Sequence, residues 1–318
     1  MDGDAATDIC ENVIETISDV VVVDREILET VLTGVLSRGH VLVEDVPGTG
    51  KTLMARSFAS ALGLSFNRIQ FTPDLLPSDI TGSHVYREQQ GEFDFAEGPI
   101  FANVVLADEI NRAPPKTQAA LLEAMSEGQV SADGTTYQLP DPFFVIATQN
   151  PVEQEGTFAL PEAQRDRFIL KTTLGYPDTD GMQTILDRRA DRTARTPNPQ
   201  RVVDGEVVSE LQTVPEQVTV EDGIRDYIIA LGEATRADDR VEVGVSPRGI
   251  QRLFEASRSH ALIQGREYVA PDDIKAIVAE TFVHRLVLTA DATVRDVSPH
   301  TVVDDVVERV EVPAVAVK

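Results

Sequence analysis

A glycine-rich stretch around residue 50 has the residue types and spacing of a phosphate-binding loop. It follows the apolar run Val41-Leu42-Val43, reads Glu44-Asp45-Val46-Pro47-Gly48-Thr49-Gly50-Lys51-Thr52 and leads into an amphipathic stretch. Its glycines let backbone N–H groups wrap a phosphate chain at a helix N-terminus, while Lys51 reaches the β- and γ-phosphates. The hydroxyl of Thr52 is then a ligand for Mg²⁺. The predicted phosphate-binding residues are Pro47, Gly48, Thr49, Gly50, Lys51 and Thr52.

Asp45 is where this stretch departs from the pattern G-x-x-x-x-G-K-[ST], which has glycine at that position. A glycine-rich turn without chemical function is the alternative interpretation. The apolar run before the loop and the helical pattern after it favour phosphate binding, because the pattern requires that context.

Acidic and polar residues end two further apolar runs. Asp108 and Glu109 follow one of them, and Asn150 follows the other. Downstream of a phosphate loop, the acidic pair predicts metal binding by Asp108 and activation of a water molecule by Glu109, although a solvated turn is the alternative. Asn150 is placed to hydrogen-bond the γ-phosphate or the water, or merely to cap a turn. Since ligands bind at the carboxyl ends of strands in open α/β sheets, we expect these tips to converge.

The first half of the chain alternates apolar runs with amphipathic stretches, which is typical of a parallel sheet covered by helices on both faces. The runs are Val41 to Val43, Ile69 to Phe71, Val104 to Ala107, Phe143 to Ala147 and Ile169 to Leu170. Later the periodicity is helical only, and Ser246-Pro247 predicts one helix start. We predict an α/β domain over residues 1–176, a connection over 177–205 and a small all-α domain over 206–318.

Two β-hairpins are predicted inside the α/β domain. Gln129 to Leu139 has Asp133-Gly134 at its centre, a pair suited to the two-residue type I′ turn. His84 to Phe95 surrounds Gln90-Gly91. We expect both hairpins to project from the sheet rather than to extend it.

The composition excludes several classes of protein. The chain has 318 residues, of which 42% are apolar, 28 are basic and 53 are acidic, so its formal charge is −25. A full core can form, while the acidic N-terminus and the lack of a long apolar run argue against secretion and a membrane span and favour the cytoplasm. The single cysteine excludes an internal disulfide, and the scattered histidines lack the spacing of a zinc site.

The acidic charge weakly disfavours nucleic acid as a partner, since nucleic-acid-binding proteins usually present a basic face. Only five of the basic residues are lysines. An acidic, lysine-poor composition resembles that of proteins from the salt-rich cytoplasm of a halophilic archaeon, where salt screens the repulsion between like charges.

The chain resembles the MoxR family of AAA+ ATPases. The stretches that carry the resemblance are His40 to Thr52, Arg68 to Gly82, Gly91 to Met125, Phe143 to Pro151, Leu160 to Phe168 and Gly244 to Arg248. The resemblance implies an αβα P-loop domain with a helical lid, ATP and Mg²⁺ as ligands, and a ring, usually a hexamer, with ATP at the subunit interfaces. Proteins of this type also commonly have an acidic residue at the position of Asp45.

The resemblance implies roles that spacing alone does not provide. Asn150 matches the first sensor, and Arg248 matches the second sensor, which the lid is expected to carry onto the γ-phosphate of its own subunit. Arg167 matches the arginine finger that reaches the site of the neighbouring subunit. Arg165 stands where an apolar residue is expected, so it competes with Arg167 for that role. A surface ion pair is the alternative for both arginines.

These inferences together predict an enzyme that hydrolyses Mg-ATP and remodels client proteins during the assembly or maturation of complexes. The resemblance implies a client and, often, a von Willebrand A-domain partner. A metal-chelatase motor subunit, a nucleic-acid motor and a non-hydrolysing nucleotide switch are the other functions considered. Arg87 is the only Lys or Arg in the two hairpins, which disfavours nucleic acid. Glu109 and a finger candidate disfavour the switch.

Overall fold

The apolar runs form strands in the computed structural model, which describes residues 1–88, 91–151, 156–191 and 199–313. The strands in these ranges are β1 (Val41–Glu44), β2 (Phe66–Gln70), β3 (Gly82–Arg87), β4 (Glu92–Glu97), β5 (Val104–Asp108), β6 (Gln129–Ala132), β7 (Thr135–Gln138), β8 (Phe144–Gln149), β9 (Leu170–Thr172), β10 (Val241–Val243) and β11 (Val287–Leu288). The helices are α1 (Gly3–Ser18), α2 (Arg25–Leu36), α3 (Lys51–Ala61), α4 (Pro77–Thr81), α5 (Pro115–Glu127), α6 (Glu162–Arg165), α7 (Thr179–Asp191), α8 (Gly205–Leu211), α9 (Asp222–Arg236), α10 (Pro247–Ile263), α11 (Pro271–Phe282), α12 (Ala290–Val294) and α13 (Pro299–Arg309).

The central sheet has five parallel strands in the order β2-β5-β8-β1-β9, which confirms the predicted parallel sheet. The inner strands are buried on both faces, so they read as continuous apolar runs. The predicted run Ile69 to Phe71 overlaps only the last two residues of β2, which begins at Phe66. This strand lies at the sheet edge, and its first residues are partly exposed or polar, so hydrophobicity did not reveal them.

Alternate residues of the inner strands β1, β5 and β8 face two separate hydrophobic clusters, which produces the three layers of an αβα sandwich. Val41 and Val43 face the cluster that contains α1, α2, α3 and the later helices, whereas Leu42 faces the cluster under α5. The helices α9 to α13, which we call the lid, pack onto the first cluster. Ser37 Oγ and Ser259 Oγ, for example, lie 2.8 Å apart between α2 and α10. The first cluster therefore runs from α1 to α13, and the proposed boundaries at residues 176 and 205 stay predictions.

The lid is helical, as predicted, and two features refine that prediction. A short antiparallel pairing of β10 with β11 accompanies the helices, because three- and two-residue strands leave no periodicity to recognise. Ser246 begins α10 as expected, since its hydroxyl accepts from the N–H of Gly249. The predicted connection contains the helix α7, and its residues 192–198 lie outside the described residues.

Both predicted hairpins are present and form separate two-stranded sheets. In the β6–β7 hairpin, Asp133 and Gly134 have φ values of 51° and 83°, the positive values that a type I′ turn requires. The other hairpin joins β3 to β4, and residues 89 and 90 at its turn lie outside the described residues.

Among the described helices, none combines the length and the apolar character that crossing a membrane requires.

Candidate functional site

Three polar tips meet at the carboxyl end of the sheet, as the sequence predicts. The loop after β1, the acidic pair at the end of β5 and the tip of β8 are adjacent because β8 lies between β5 and β1. Together they line an open cavity of about 440 Å³. Its lining residues are Asp45, Pro47, Gly48, Gly50, Lys51, Thr52, Leu53, Arg68, Gln70, Asp108, Glu109, Thr148, Gln149 and Asn150.

The backbone of the loop has the shape expected of a phosphate cradle. Gly48 and Gly50 have φ values of 91° and 96°, which glycine adopts without strain, and α3 begins at Lys51 immediately afterwards. The ammonium group of Lys51 donates to the carbonyl oxygens of Val46 (2.5 Å) and Asp45 (3.2 Å). These acceptors carry no net charge, so the loop keeps a positive charge where the helix N-terminus also favours an anion.

Asp45 holds the loop rather than facing solvent. The residue is only 5% exposed. Its two carboxylate oxygens accept hydrogen bonds from the N–H groups of Val46 (2.7 Å) and Gly175 (3.1 Å). The residue that departs from the literal sequence pattern therefore binds the phosphate loop to the segment that follows β9.

Asp108 is buried and bonded on both carboxylate oxygens. One oxygen accepts from the hydroxyl of Thr148 at 2.6 Å, and the other accepts from Nη2 of Arg68 at 2.6 Å. Arg68 comes from the neighbouring strand β2, where its backbone pairs with Leu106, two residues before Asp108. A buried carboxylate with these partners stays oriented toward the cavity.

Glu109 lies in an unusual backbone conformation. Its φ of 57° and ψ of 48° are left-handed, a conformation that costs a residue other than glycine roughly 1 kcal/mol or more. Its N–H donates to Thr148 Oγ1 at 2.8 Å, and its carboxylate accepts from Gln70 and Arg112 at 2.8 and 2.9 Å. The turn of the backbone sends Glu109 into the cavity beside Asp108, while two side chains hold its carboxylate.

The donor set of this cavity fits Mg²⁺ bound with a phosphate chain. Mg²⁺ prefers oxygen ligands and usually binds through one or two carboxylates, water and phosphate oxygens. Thr52 and Asp108 supply a hydroxyl and a carboxylate to the same cavity. In the described ranges no group of three His, Cys, Asp or Glu side chains could hold a metal by itself.

The two candidate finger arginines have different surroundings in the segment that precedes β9. Arg167 donates from Nη1 to the carbonyl oxygen of Leu122, at 2.6 Å, and to Ser126 in the last turns of α5. The Nε of Arg165 is buried and has no hydrogen-bond partner in the described part of the chain. Neither arginine lines the cavity at the phosphate loop.

Arg248 also lies away from the loop of its own subunit. Its Nε is 3.7 Å from a carboxylate oxygen of Asp166, which precedes the amino end of β9. The phosphate loop follows the carboxyl end of β1, and β1 and β9 are parallel neighbours. This arrangement does not place Arg248 at the phosphate loop, so the expectation that the lid carries it onto the γ-phosphate of its own subunit stays a prediction.

Comparison with known proteins decides the family. Residues 40–170 match the ATPase family associated with various cellular activities (AAA), and residues 233–307 match the AAA lid domain. The chain is 42% identical over 314 residues to Chaperone MoxR1 of Mycobacterium tuberculosis, covering 96% of this chain and 82% of that one. The chain belongs to the MoxR family of AAA ATPases.

Two further relatives agree with this assignment to the MoxR family. YeaC of Bacillus subtilis is 46% identical over 301 residues, covering 94% of this chain and 93% of that one. A crystal structure from Cytophaga hutchinsonii, provisionally described as an ATPase, superposes with a TM-score of 0.91 at 37% identity and covers 98% of this chain and 97% of that one. This MoxR-family chain is accordingly an ATPase with an AAA domain and an AAA lid.

The sequence analysis did not predict the side chains that hold the acidic pair of this MoxR site in place. Arg68, Gln70 and Thr148 contact the acidic pair, yet none had been assigned a role. The available signal was the alternation of Arg68 and Gln70, which places both side chains on one face of β2. Recognising their partners requires knowing that β2 is the neighbour of β5.

Proposed function

We propose that this chain hydrolyses Mg-ATP in the cavity at the carboxyl end of its sheet. Pro47, Gly48, Thr49 and Gly50 would hold the phosphate chain through the loop backbone, and Lys51 would bind the β- and γ-phosphates. Glu109 would orient and deprotonate the attacking water. Asn150, which is buried in the same cavity, would hydrogen-bond the γ-phosphate or that water.

Thr52 and Asp108 would hold Mg²⁺, directly or through water. When bound, Mg²⁺ supplies positive charge that stabilises the charge developing on the phosphate oxygens. Asp108 is kept ready for this role by its bonds to Thr148 and Arg68, which orient both of its oxygens. Arg68 would compensate the carboxylate charge until the metal arrives.

A second subunit would complete the site. The observation that carries this proposal is that Lys51 and Glu109 share one cavity, whereas Arg167 and Arg248 lie by the opposite end of the parallel strands. In a ring of identical subunits, these two ends can face each other across an interface. We propose a homo-oligomeric ring, as a hexamer, in which Arg167 acts as the finger and Arg248 as the sensor on the neighbour's ATP.

We further propose that ATP hydrolysis serves a chaperone-like function. The relative MoxR1 is named as a chaperone, and this supports a client protein as the partner. A von Willebrand A-domain protein is proposed as an accessory partner from the family resemblance. A cytoplasmic location follows from the need for ATP.

The hairpins give no support to nucleic acid as a substrate. Arg87, the basic residue of the β3–β4 hairpin, already pairs with Asp94 at 2.8 Å. A hairpin that grips a phosphate backbone would require unpaired basic side chains. No observation favours a metal chelatase over a chaperone-like ATPase.

The charge of −25 is proposed to be an adaptation of the surface to concentrated salt rather than a feature of the site. The relatives named above are bacterial and do not support a halophilic archaeal source. A rise of the unfolding temperature between 0.1 and 2 M KCl would support the adaptation, and a fall would contradict it.

Mixed rings test the proposed function. Lys51→Ala subunits lose ATP binding, and Arg167→Ala subunits bind ATP without completing the neighbour's site, so each variant alone should be inactive. Mixing them creates interfaces with one intact loop and one intact finger, and ATPase activity should reappear. Native mass spectrometry verifies that the variants co-assemble. Inactive mixtures despite co-assembly would contradict catalysis across the interface.

A further inference from the structure

Arg285 is a lid residue whose guanidinium group is buried against the segment that carries Arg167. Its side chain is only 2% exposed, although it bears a charge. Nε donates to a carboxylate oxygen of Asp166 at 2.7 Å, and Nη2 donates to the carbonyl oxygen of Phe168 at 2.7 Å. Nη1 and Nη2 also reach the carbonyl oxygens of Ile169 and Asp166, each at 3.3 Å.

These acceptors flank Arg167 on both sides along the chain. Asp166 precedes it, and Phe168 and Ile169 follow it. The same segment is attached to the sheet, because the N–H of Ile169 donates to the carbonyl oxygen of His40 at 2.9 Å. The backbone of Arg167 is thus held between the sheet and a side chain that belongs to the lid.

The chemistry of these contacts requires a guanidinium group. Five N–H donors in a planar fork can serve one carboxylate and several carbonyl oxygens at once, which the single ammonium group of lysine cannot do in this geometry. Burial lowers the pKa of Arg285 to about 10, so the group still carries its charge at neutral pH. Asp166 supplies the opposite charge that a buried cation needs.

Asp166 receives a second lid arginine on its other oxygen. Arg248 Nε approaches Oδ2 at 3.7 Å, while Arg285 occupies Oδ1. The carboxylate therefore joins the proposed sensor, the segment of the proposed finger and the core of the lid. A rotation of the lid would move all three together, since Arg285 is also bonded to the carbonyl oxygen of Thr281 in α11.

We propose that Arg285 is a positioning residue for Arg167, which acts through Asp166 and the carbonyl oxygens of residues 168 and 169 to set where the finger enters the neighbouring subunit. The inference rests on the proposed function, in which Arg167 acts across the interface. Arg285 does not touch ATP. Its effect is to make the lid and the finger of one subunit a single rigid unit.

The test uses Arg285→Lys, which keeps the charge and removes the fork. ATP affinity, measured with a fluorescent nucleotide, should stay within about twofold of the parent, because the phosphate loop is intact. The kcat should fall by roughly 10- to 100-fold, as expected when a catalytic group is misplaced by about 1 Å. Asp166→Asn, which preserves the shape of the side chain, provides a second variant if Arg285→Lys does not fold.

Mixed rings separate positioning from a general structural role. Arg285→Lys subunits mixed with Lys51→Ala subunits should recover activity, because the intact loop of the first then receives the intact finger of the second. Damage confined to a subunit's own site would not be repaired by its neighbour. Arg240→Lys is the matched control in the lid, where Arg240 pairs with Asp238 and Asp305 away from the finger segment. It should retain the parental kcat.

Three outcomes would overturn the inference. Full kcat in Arg285→Lys and Asp166→Asn would show that the contacts do not set the finger. A second outcome is that mixing with Lys51→Ala subunits restores ATPase activity to Arg167→Ala but not to Arg285→Lys. This would contradict the positioning role of Arg285 and leave the proposed function intact. Failure of Arg167→Ala itself to recover would instead overturn the proposed catalysis across the interface, and the role of Arg285 with it.

Discussion

The carboxylate of Asp45 accepts the N–H of Gly175 at 3.1 Å and so joins the phosphate loop to the end of the sheet's last strand. Gly175 has a φ of 70°, and it precedes the residues that lead to α7. A change in the shape of the phosphate loop would therefore alter the position of the backbone at Gly175, where the chain leaves the sheet. An aspartate can make this bond, and the glycine of the literal motif cannot.

Replacing Asp45 with Ala should destabilise the fold. Two partly buried N–H groups would lose their acceptor, which costs about 1–3 kcal/mol in the free energy of unfolding. Asp45→Asn should cost less, because its amide oxygen can still accept one of the two bonds. Urea unfolding measures the effect, with the exposed Asp94→Ala as control. Parental stability in Asp45→Ala would show that the Gly175 contact contributes little.

Replacing Glu109 with Gln should separate binding from hydrolysis. The amide cannot take a proton from water, so the rate of phosphate release should fall at least about 100-fold while ATP still binds. Equilibrium binding and single-turnover phosphate release measure the two steps. Glu123→Gln, on the exposed face of α5, should match the parent. Rapid turnover by Glu109→Gln would remove Glu109 from the chemistry.

Stability should fall as the pH drops below 6.5, partly because of His40. This buried side chain donates from Nε2 to the carbonyl oxygen of Met125 and accepts from the N–H of Val145 with Nδ1, so it must be neutral. Burial lowers the pKa of His40 from 6.5 to about 4. Below pH 6.5 the unfolded chain therefore takes up the proton first. The full contribution is present above pH 6.5 and is lost progressively as the pH falls to about 4.

The variant His40→Gln isolates this contribution, since its amide can replace both hydrogen bonds but does not titrate. Between pH 6.5 and 5, the parent should lose about 1.6 kcal/mol more of its free energy of unfolding than the variant, because the unfolded side chain is half protonated at pH 6.5 and the loss approaches about 1.4 kcal/mol per pH unit only at lower pH. Urea unfolding at both pH values measures the difference. The exposed His300→Gln should behave like the parent, and equal pH slopes for His40→Gln and the parent would exclude His40 as a cause.

Removing the His84 side chain should weaken the contact between the β3–β4 hairpin and the β6–β7 hairpin. Its Nδ1 bonds Asp133 at 2.9 Å, and its Nε2 contacts the hydroxyl of Tyr137 at 3.1 Å, so one side chain of β3 holds the β6–β7 hairpin. Losing about 1 kcal/mol of hydrogen bonding in His84→Ala should speed amide exchange of residues 135–138 by about fivefold. Arg87→Ala is the control, because it breaks an ion pair that lies within the β3–β4 hairpin. Unchanged exchange would show that the hairpins are held by other contacts.

Much of the site was predictable because its parts are local. The phosphate loop and the acidic pair each follow an apolar strand within a few residues, and the carboxyl ends of parallel strands meet at one edge. The type I′ turn at Asp133-Gly134 was predictable for the same reason. Helix α7 was not, because it buries no residue completely and therefore lacks a clear apolar stripe. The partners of Asp108 were missed because Arg68 is 40 residues away.

The sequence by itself determined the elements, the phosphate loop, the acidic pair and membership of a family of ATPases, since spacing and hydrophobic periodicity express interactions between near neighbours. Only the tertiary structure decided that Asp45 faces Gly175 and that Glu109 adopts a left-handed backbone. It also brought Arg248 and Arg285 to the carboxylate of Asp166, although Arg285 is 119 residues from Asp166 along the chain. Which distant segments meet depends on how the lid packs against the sheet, and no local pattern encodes that packing.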